Sequence, residues 1–291
     1  MPPPVITPLR TPGRAPRVLT IDAEDWFHVC GDDYYSDPRR WESFPSRFGR
    51  TFGWLLERLE RGGHRATVFV LGWIAERHPE LVREASRRGH EIALHGDLHR
   101  RADELSPSEF LADLSRGRER IRRACGLRAD FFRAAEWSIR SPSDPALGVL
   151  ASEGFAADAS MTAIRPLGRA ENLLGPHRID LPEGSLIEVP PLTGRGFGRR
   201  IPGGGGWPFR LLRPERLAAF EEAYRQRGHP AVFTFHPWEF DDEHPPMDGL
   251  SPLLRLVHSA GRRGLAKRFE SWLAQERCVA LGDALRELRA A

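Results

Sequence analysis

Residues 17–29, RVLTIDAEDWFHV, run from an apolar, β-branched stretch directly into three carboxylates, Asp22, Glu24 and Asp25. Val18, Leu19 and Ile21 read as a strand buried on both faces, the mark of a parallel sheet covered by helices. Unpaired charge at the edge of such a core is costly. The acidic end of this strand therefore asks for a partner.

Outward from this stretch the same alternation continues. Short apolar runs at 66–72, 91–95, 130–133, 155–158, 186–190, 231–236 and 277–281 read as strands. Amphipathic segments separate them, as β/α units require. SRFGRTFGWLLERLERGG (46–63) spaces Phe48, Phe52, Leu55, Leu56 and Leu59 for a helix ending at Gly62-Gly63. PELVREASRRGH starts with Pro79 and stops at Gly89, and Ser106, Pro107 and Glu109 form a capping-box start for a third helix. Residues 159–212 are rich in Gly, Pro and Arg and read as one strand within long, functional or disordered loops. From about residue 251 the chain reads as a helix, a weak last strand and a final helix, GDALRELRAA. Three divisions follow: a disordered lead-in at 1–16, a main domain at 17–250, and a C-terminal extension at 251–291 packed on it.

Polar residues fall at the strand ends: Asp22, His95, Arg133, Asp158, Glu188 and His236. A β/α barrel builds its active site from the C-terminal ends of its strands, so these six are expected on one rim. HGDLH sets His95 and His99 at i and i+4, which a helical turn would bring to one face. Two imidazoles and a carboxylate are a common donor set for a catalytic divalent metal. Arg133, behind two phenylalanines, needs an anion, and a carboxylate of the first motif is the natural one. Trp238, beside His236, suits either a sugar-stacking platform or the core. PGGGGWPF (202–209) lacks the strand and the Gly-Lys-Ser/Thr of a phosphate loop, and reads as a substrate-side loop carrying Gly205 and Trp207.

Composition narrows the function classes. The 43 Lys and Arg are dispersed among 40 Asp and Glu for a net charge of +3, and no nucleic-acid reading motif is present. Three cysteines at wide spacing argue against a disulfide framework or a zinc knuckle. MPPPVITPLRTPGRAPR lacks the apolar core of a signal peptide, and no apolar run approaches a membrane span, so a cytoplasmic protein is expected.

The motifs TIDAED, HGDLH, FFRAAEW, FAADAS and FTFHPWEFD, in this order, resemble those of polysaccharide deacetylases of the NodB homology, or carbohydrate esterase family 4, type. IDAEDWFHV, GGGGWPFRLLRP and HPWEFD resemble more narrowly the subgroup associated with exopolysaccharide and exosortase loci. The resemblance implies a distorted (β/α)7-type barrel over residues 17–250, acting as a metal-dependent N-deacetylase on amino-sugar units of an exopolysaccharide or its lipid-linked precursor. It implies Asp22 as general base, His236 as general acid supported by Asp158, and Arg133 orienting Asp22. The metal, zinc first with cobalt, nickel or manganese as alternatives, would sit on His95, His99 and either Glu24 or Asp25. An exopolysaccharide synthesis complex at the inner membrane face is the implied partner, and no nucleic acid. The chain departs from the pattern at Ala135-Glu136, where the subgroup form is close to R-A-P-S. A cyclic-amide hydrolase and a non-catalytic glycan-binding protein are the alternative readings.

Overall fold

The computed structural model describes residues 3–196 and 198–290, with the side chain of Leu253 also outside the description. Residues 1 and 2 of the lead-in and residue 291 of the expected last helix thus lie outside the described residues. The strands are β1 (Val5–Arg10), β2 (Arg17–Ala23), β3 (Thr67–Val70), β4 (Glu91–Leu94), β5 (Phe131–Phe132), β6 (Ala157–Asp158), β7 (His177–Leu181), β8 (Gly184–Glu188), β9 (Thr193–Gly196), β10 (Arg199–Pro202), β11 (Ala231–Phe235) and β12 (Arg289–Ala290). Helices at Phe48–Arg61, Pro79–Arg87, Pro107–Cys125, Pro145–Ser152 and Pro214–Arg225 connect or flank the parallel strands. The capping box is present: the Glu109 N–H donates to Ser106 Oγ, and the Ser106 N–H to Glu109 Oε2.

The hydrogen-bonded order is β11-β2-β3-β4-β5-β6-β8-β7-β1-β12, parallel from β11 to β8 and antiparallel beyond. The fold is α/β. The ladder ends at β11 and β12 without returning on itself, so the described strands form a mixed, unclosed sheet, which supports the α/β class of the expected distorted (β/α)7-type barrel but not its closure. The physical reason lies between β8 and β11, where a loop replaces a strand. Leu192 N–H donates to Val232 O and Thr234 N–H to Gly204 O. A Cβ at Gly204 would lie 2.2 Å from Val232 O, and one at Gly205 (φ 120°) 1.8 Å from Thr234 O. The glycine run is the condition for laying bare backbone against β11.

Two further expectations change. The lead-in contains β1, paired with β7 and β12. Its side chains are mostly exposed, so it offered no hydrophobic alternation to read. The strand expected at 277–281 reduces to one bridge, Val279 to Val18, and the last helix to Leu281–Leu285. This C-terminal segment lies against β2 and β3: Leu281 N–H donates to Thr67 Oγ1, and Cys278 N–H to His64 Nδ1.

All seven residues of β2 are buried, and alternate ones serve different faces. Leu19, Ile21 and Ala23 join the large core, while Val18 joins a smaller cluster with Phe69, Ala93, Ala159, Val189 and Val232. Thr20 and Asp22 continue the Val18 side, which puts them directly above that cluster.

Candidate active site

Asp22 and Arg133 form the base of the site. The Arg133 Nη1 donates to Asp22 Oδ1 at 2.6 Å and to Thr20 Oγ1 at 2.9 Å, and its Nε donates to Ala159 O at 3.2 Å. The guanidinium lies 4.1 Å from the Phe69 ring centroid, with the residue 1% exposed. Thr20, two positions before Asp22, was missed in the sequence, although the period of two would have found it.

Glu24 leaves the strand immediately after Ala23 and meets both histidines. Its Oε1 lies 2.8 Å from His95 Nε2 and 3.0 Å from His99 Nε2. Burial alone would raise the Glu24 carboxyl, but the His99 and His236 charges and the hydrogen bonds from His95 and His99 hold it well below the usual carboxylate range. His95 Nδ1 donates to the Arg133 carbonyl at 2.7 Å, which directs Nε2 into the cluster. The expected helical turn through HGDLH is absent: 95–100 is irregular, with Gly96 at φ 80° and His99 at φ 49°. A left-handed His99 brings its ring centroid to 5.1 Å from that of His95. Cys30 Sγ, unremarked in the sequence, stands 3.5 Å from His99 Nδ1.

Asp25 stands apart from this cluster, a correction to its candidacy as a ligand. Its carboxylate accepts from the Trp26, Arg47 and Phe48 N–H groups and from Ser46 Oγ. It is spent on the unsatisfied donors that open helix Phe48–Arg61.

His236 follows β11, with Nε2 3.8 Å from Asp22 Oδ2 and Nδ1 2.8 Å from Glu239 Oε1. Burial would lower this imidazole, yet the charges of Glu24, Glu239 and Asp22 and the Glu239 hydrogen bond raise it to about 9. Glu239, 1% exposed, also accepts from the His236 N–H and pairs with Arg210 at 3.4 Å. The carboxylate supporting His236 is therefore Glu239, whereas Asp158 had been expected there. The spacing His-x-x-Glu at a strand end was the available signal.

Asp158 is instead paired with Glu188 across the β6/β8 register. Asp158 accepts from Ser160 Oγ, and Glu188 Oε1 accepts from the Met161 N–H. Burial pushes Asp158 up to about 6, and burial together with the Asp158 charge raises Glu188 well above the ordinary range. Two buried carboxyls at this register are expected to share a proton. An acid whose folded pKa is raised stabilises the fold while protonated, and that contribution is lost as pH rises through the folded value. Stability of the wild type is expected to fall from about pH 4 to above 6. Glu188→Gln should flatten this loss, recovering on the order of 2 kcal/mol at pH 8. Denaturant melts at pH 5 and pH 8 measure it; parallel curves for the two proteins would refute the shared proton.

Asp22, Glu24, His95, His99, Arg133 and His236 line one cavity together with Trp238, Trp207 and Gly205, and Asp158 and Glu188 lie outside its lining. Trp238 stacks on His236 and on His258, ring centroids 5.4 Å and 4.6 Å apart, and is 8% exposed, so it is both wall and core. Trp207 is 36% exposed at the rim, and Gly205 supplies backbone. The departing residues after Arg133 adopt left-handed backbone, Glu136 at φ 51° and Trp137 at φ 52°, with Glu136 held by Arg101. Both line the cavity, and the Trp137 indole N–H has no partner among the described residues. Trp137 is a candidate donor to a ligand that sequence reading did not single out.

Two donor groupings could hold a cation: Glu24, His95 and His99, or Asp22, Glu24 and His236, each with ligand atoms within 4.8 Å of one another. The first fits better. Its imidazole Nε2 atoms converge on one carboxylate oxygen, whereas in the second Asp22 Oδ1 is engaged by Arg133 and His236 Nε2 stands 3.8 Å from Asp22 Oδ2.

Comparison with known proteins agrees with this geometry at the level of fold. Residues 50–147 match the family model described as polysaccharide deacetylase, and residues 159–285 match one described as a domain of unknown function, DUF3473. The first span contains His95, His99 and Arg133, the second His236, and neither reaches Asp22 or Glu24. A protein from Mycobacterium smegmatis assigned as a polysaccharide deacetylase is 20% identical, with a TM-score of 0.59 over 95% of this chain and 94% of its own. A peptidoglycan N-acetylglucosamine deacetylase, crystallised with a naphthyl N-hydroxybenzamide, is 14% identical, with a TM-score of 0.52 over 94% and 90%. A CE4 family pseudoenzyme from Bacillus anthracis is 13% identical, with a TM-score of 0.50 over 95% and 67%. One fold thus carries proteins described as deacetylase and as pseudoenzyme, and activity has to be argued from the site.

Proposed function

We propose that this protein, which shares its fold with the polysaccharide deacetylases above, is a metal-dependent hydrolase. It removes N-acetyl groups from amino-sugar units of an exopolysaccharide or its lipid-linked precursor, in the cytoplasm. The observation that carries the reading is the convergence of Glu24, His95 and His99 beside an Arg-held aspartate and a Glu-held histidine at one cavity. The donor set, one carboxylate and two imidazoles with one Nδ1–H tied to a carbonyl, fits a divalent cation, zinc first and cobalt, nickel or manganese next. Held by Glu24, His95 and His99, that cation would supply Lewis acidity toward the acyl oxygen and the attacking water.

The chain's own groups do the rest. Arg133 occupies Asp22 Oδ1, leaving Oδ2 on the side of His236 to take the proton of an attacking water. His236, protonated through neutral pH, gives its Nε2 proton to the departing amine, while Glu239 fixes the ring through Nδ1. The cavity, rimmed by Trp207 and walled by Trp238 and Trp137, suits a sugar ring that stacks on aromatic faces. N-hydroxybenzamides chelate metals through two oxygens, which makes that class of inhibitor a probe of the same centre here.

The test is acetate release from N-acetylated oligosaccharides, with and without chelator, together with bound metal by plasma emission. Purified protein is expected to hold stoichiometric metal. His95→Ala and Glu24→Ala should drop it to background, whereas Asp25→Asn should retain it. Metal retained by the Glu24 variant would break the proposed donor set. Metal bound with no acetate released from any saccharide would favour a glycan-binding protein, given the altered loop at Glu136.

A further inference from the structure

The helix Pro252–Ser259 is amphipathic, yet none of its described side chains is buried. Leu256 is 62% and Val257 36% exposed. Arg210 donates to the carbonyls of Val257 and His258, and Gly261 lies against Leu211, so this helix is tied to Gly206–Leu211. That second helix presents Leu211, 54% exposed, and Trp207. Four large apolar side chains are thus exposed on two helices tied to each other, and Trp207 and Val257 also line the cavity. Exposed apolar side chains grouped at a cavity opening mark an interaction surface.

Charge identifies what it meets. Residues 189–214 and 249–269 contain ten Arg and Lys and no Asp or Glu, although the whole chain is only +3. The basic charge is therefore segregated onto the segments that carry the patch, and the remainder of the chain is net acidic. Arg213, Arg255, Arg263 and Lys267 are exposed, and none makes an ion pair with a described residue. A soluble polyanion would call for the cations without the aliphatic side chains. Exposed Leu, Val and Trp set among unpaired Arg and Lys match a surface with hydrocarbon below and anionic headgroups above.

We propose that this face docks reversibly on an anionic lipid bilayer, so that the cavity opens at the membrane surface. Among the described residues no helix is long and apolar enough to cross a membrane, and the proposed contact is a surface one. The inference uses only exposure and charge and does not depend on the reaction proposed above.

Flotation of the full chain with vesicles tests it. The protein should float with phosphatidylcholine vesicles containing phosphatidylglycerol, not with pure phosphatidylcholine, and raising salt should release it. Leu256→Asp is expected to weaken partitioning about tenfold or more, and Arg263→Ala about fivefold. Leu256 is exposed, so an unchanged thermal midpoint certifies the fold of that variant. Absence of flotation at low salt, or flotation indifferent to Leu256→Asp, would overturn the proposal. Equally tight binding to a soluble anionic polysaccharide, insensitive to Leu256→Asp, would reassign the face to a polyanion. A concentration-dependent dimer abolished by Leu256→Asp would reassign it to a second copy of the chain.

Discussion

Asp22→Asn is expected to lower the rate of acetate release by about 10²–10⁴-fold, the range a positioned general base supplies, while bound metal stays stoichiometric. Asparagine keeps an oxygen for the Arg133 Nη1 but cannot take a proton from water. Glu24, His95 and His99 are untouched, so metal content separates this variant from a ligand variant. The loss should fall on kcat with little change in KM, because the proposed mechanism has Asp22 act on the water and not on the sugar. Wild-type turnover in the Asn variant would remove Asp22 from the mechanism and direct attention to Glu24.

The largest effect on stability is expected from Arg133→Leu. Arg133 is the buried cation between Asp22 and the Asp158–Glu188 pair, and its charge lowers both of those carboxyls. Removing it leaves Asp22, among the described residues, with only His236 at 3.8 Å, and takes the Arg133 donor from Thr20 Oγ1 and Ala159 O. Breaking a buried ion pair from one side costs about 3–5 kcal/mol. Chemical denaturation in chelator measures it free of any metal contribution. Arg133→Lys should recover only part, since one ammonium cannot reproduce the fork that reaches Asp22, Thr20 and Ala159. The double variant Asp22→Leu, Arg133→Leu should be less destabilised than the sum of the two singles. A loss below about 1 kcal/mol for Arg133→Leu would show that water, not Arg133, satisfies Asp22.

The central parallel strands were legible because burial on both faces forces runs such as VLTI and VFTF to be apolar or β-branched, with Thr20 and Thr234 hydrogen-bonded to each other. Helix starts were legible where chemistry is local, as at Ser106-Pro107-Glu109. Where pairing rests on backbone alone, reading failed: β1 carries proline and exposed side chains and its partners β7 and β12 lie far along the chain, while β9 and β10, which pair with each other, carry glycine, proline and arginine in place of an apolar alternation. Closure of the sheet was not legible for a related reason, since between β8 and β11 a glycine-rich segment, and not a strand, lies along the sheet. At the site, residue type and strand-end position singled out Asp22, Glu24, His95, His99, Arg133 and His236. The division between Glu24 and Asp25 depended on Ser46, Arg47 and Phe48, which no local pattern ties to Asp25. Glu239 and Asp158 were interchanged because a strand-end position does not say which carboxylate a turn will bring to an imidazole.

The glycine run against β11 couples two events that are otherwise distant. Gly204 accepts from the N–H of Thr234, two residues before His236, and Trp207 begins three residues after Gly204. With no side chains between loop and strand there is nothing to act as a cushion. Under the proposed function, a saccharide pressing on the Trp207 rim would load the same strand that precedes His236. Occupancy at the entrance and the aim of His236 would then be linked through backbone, and a longer polymer would influence proton delivery without touching the imidazole.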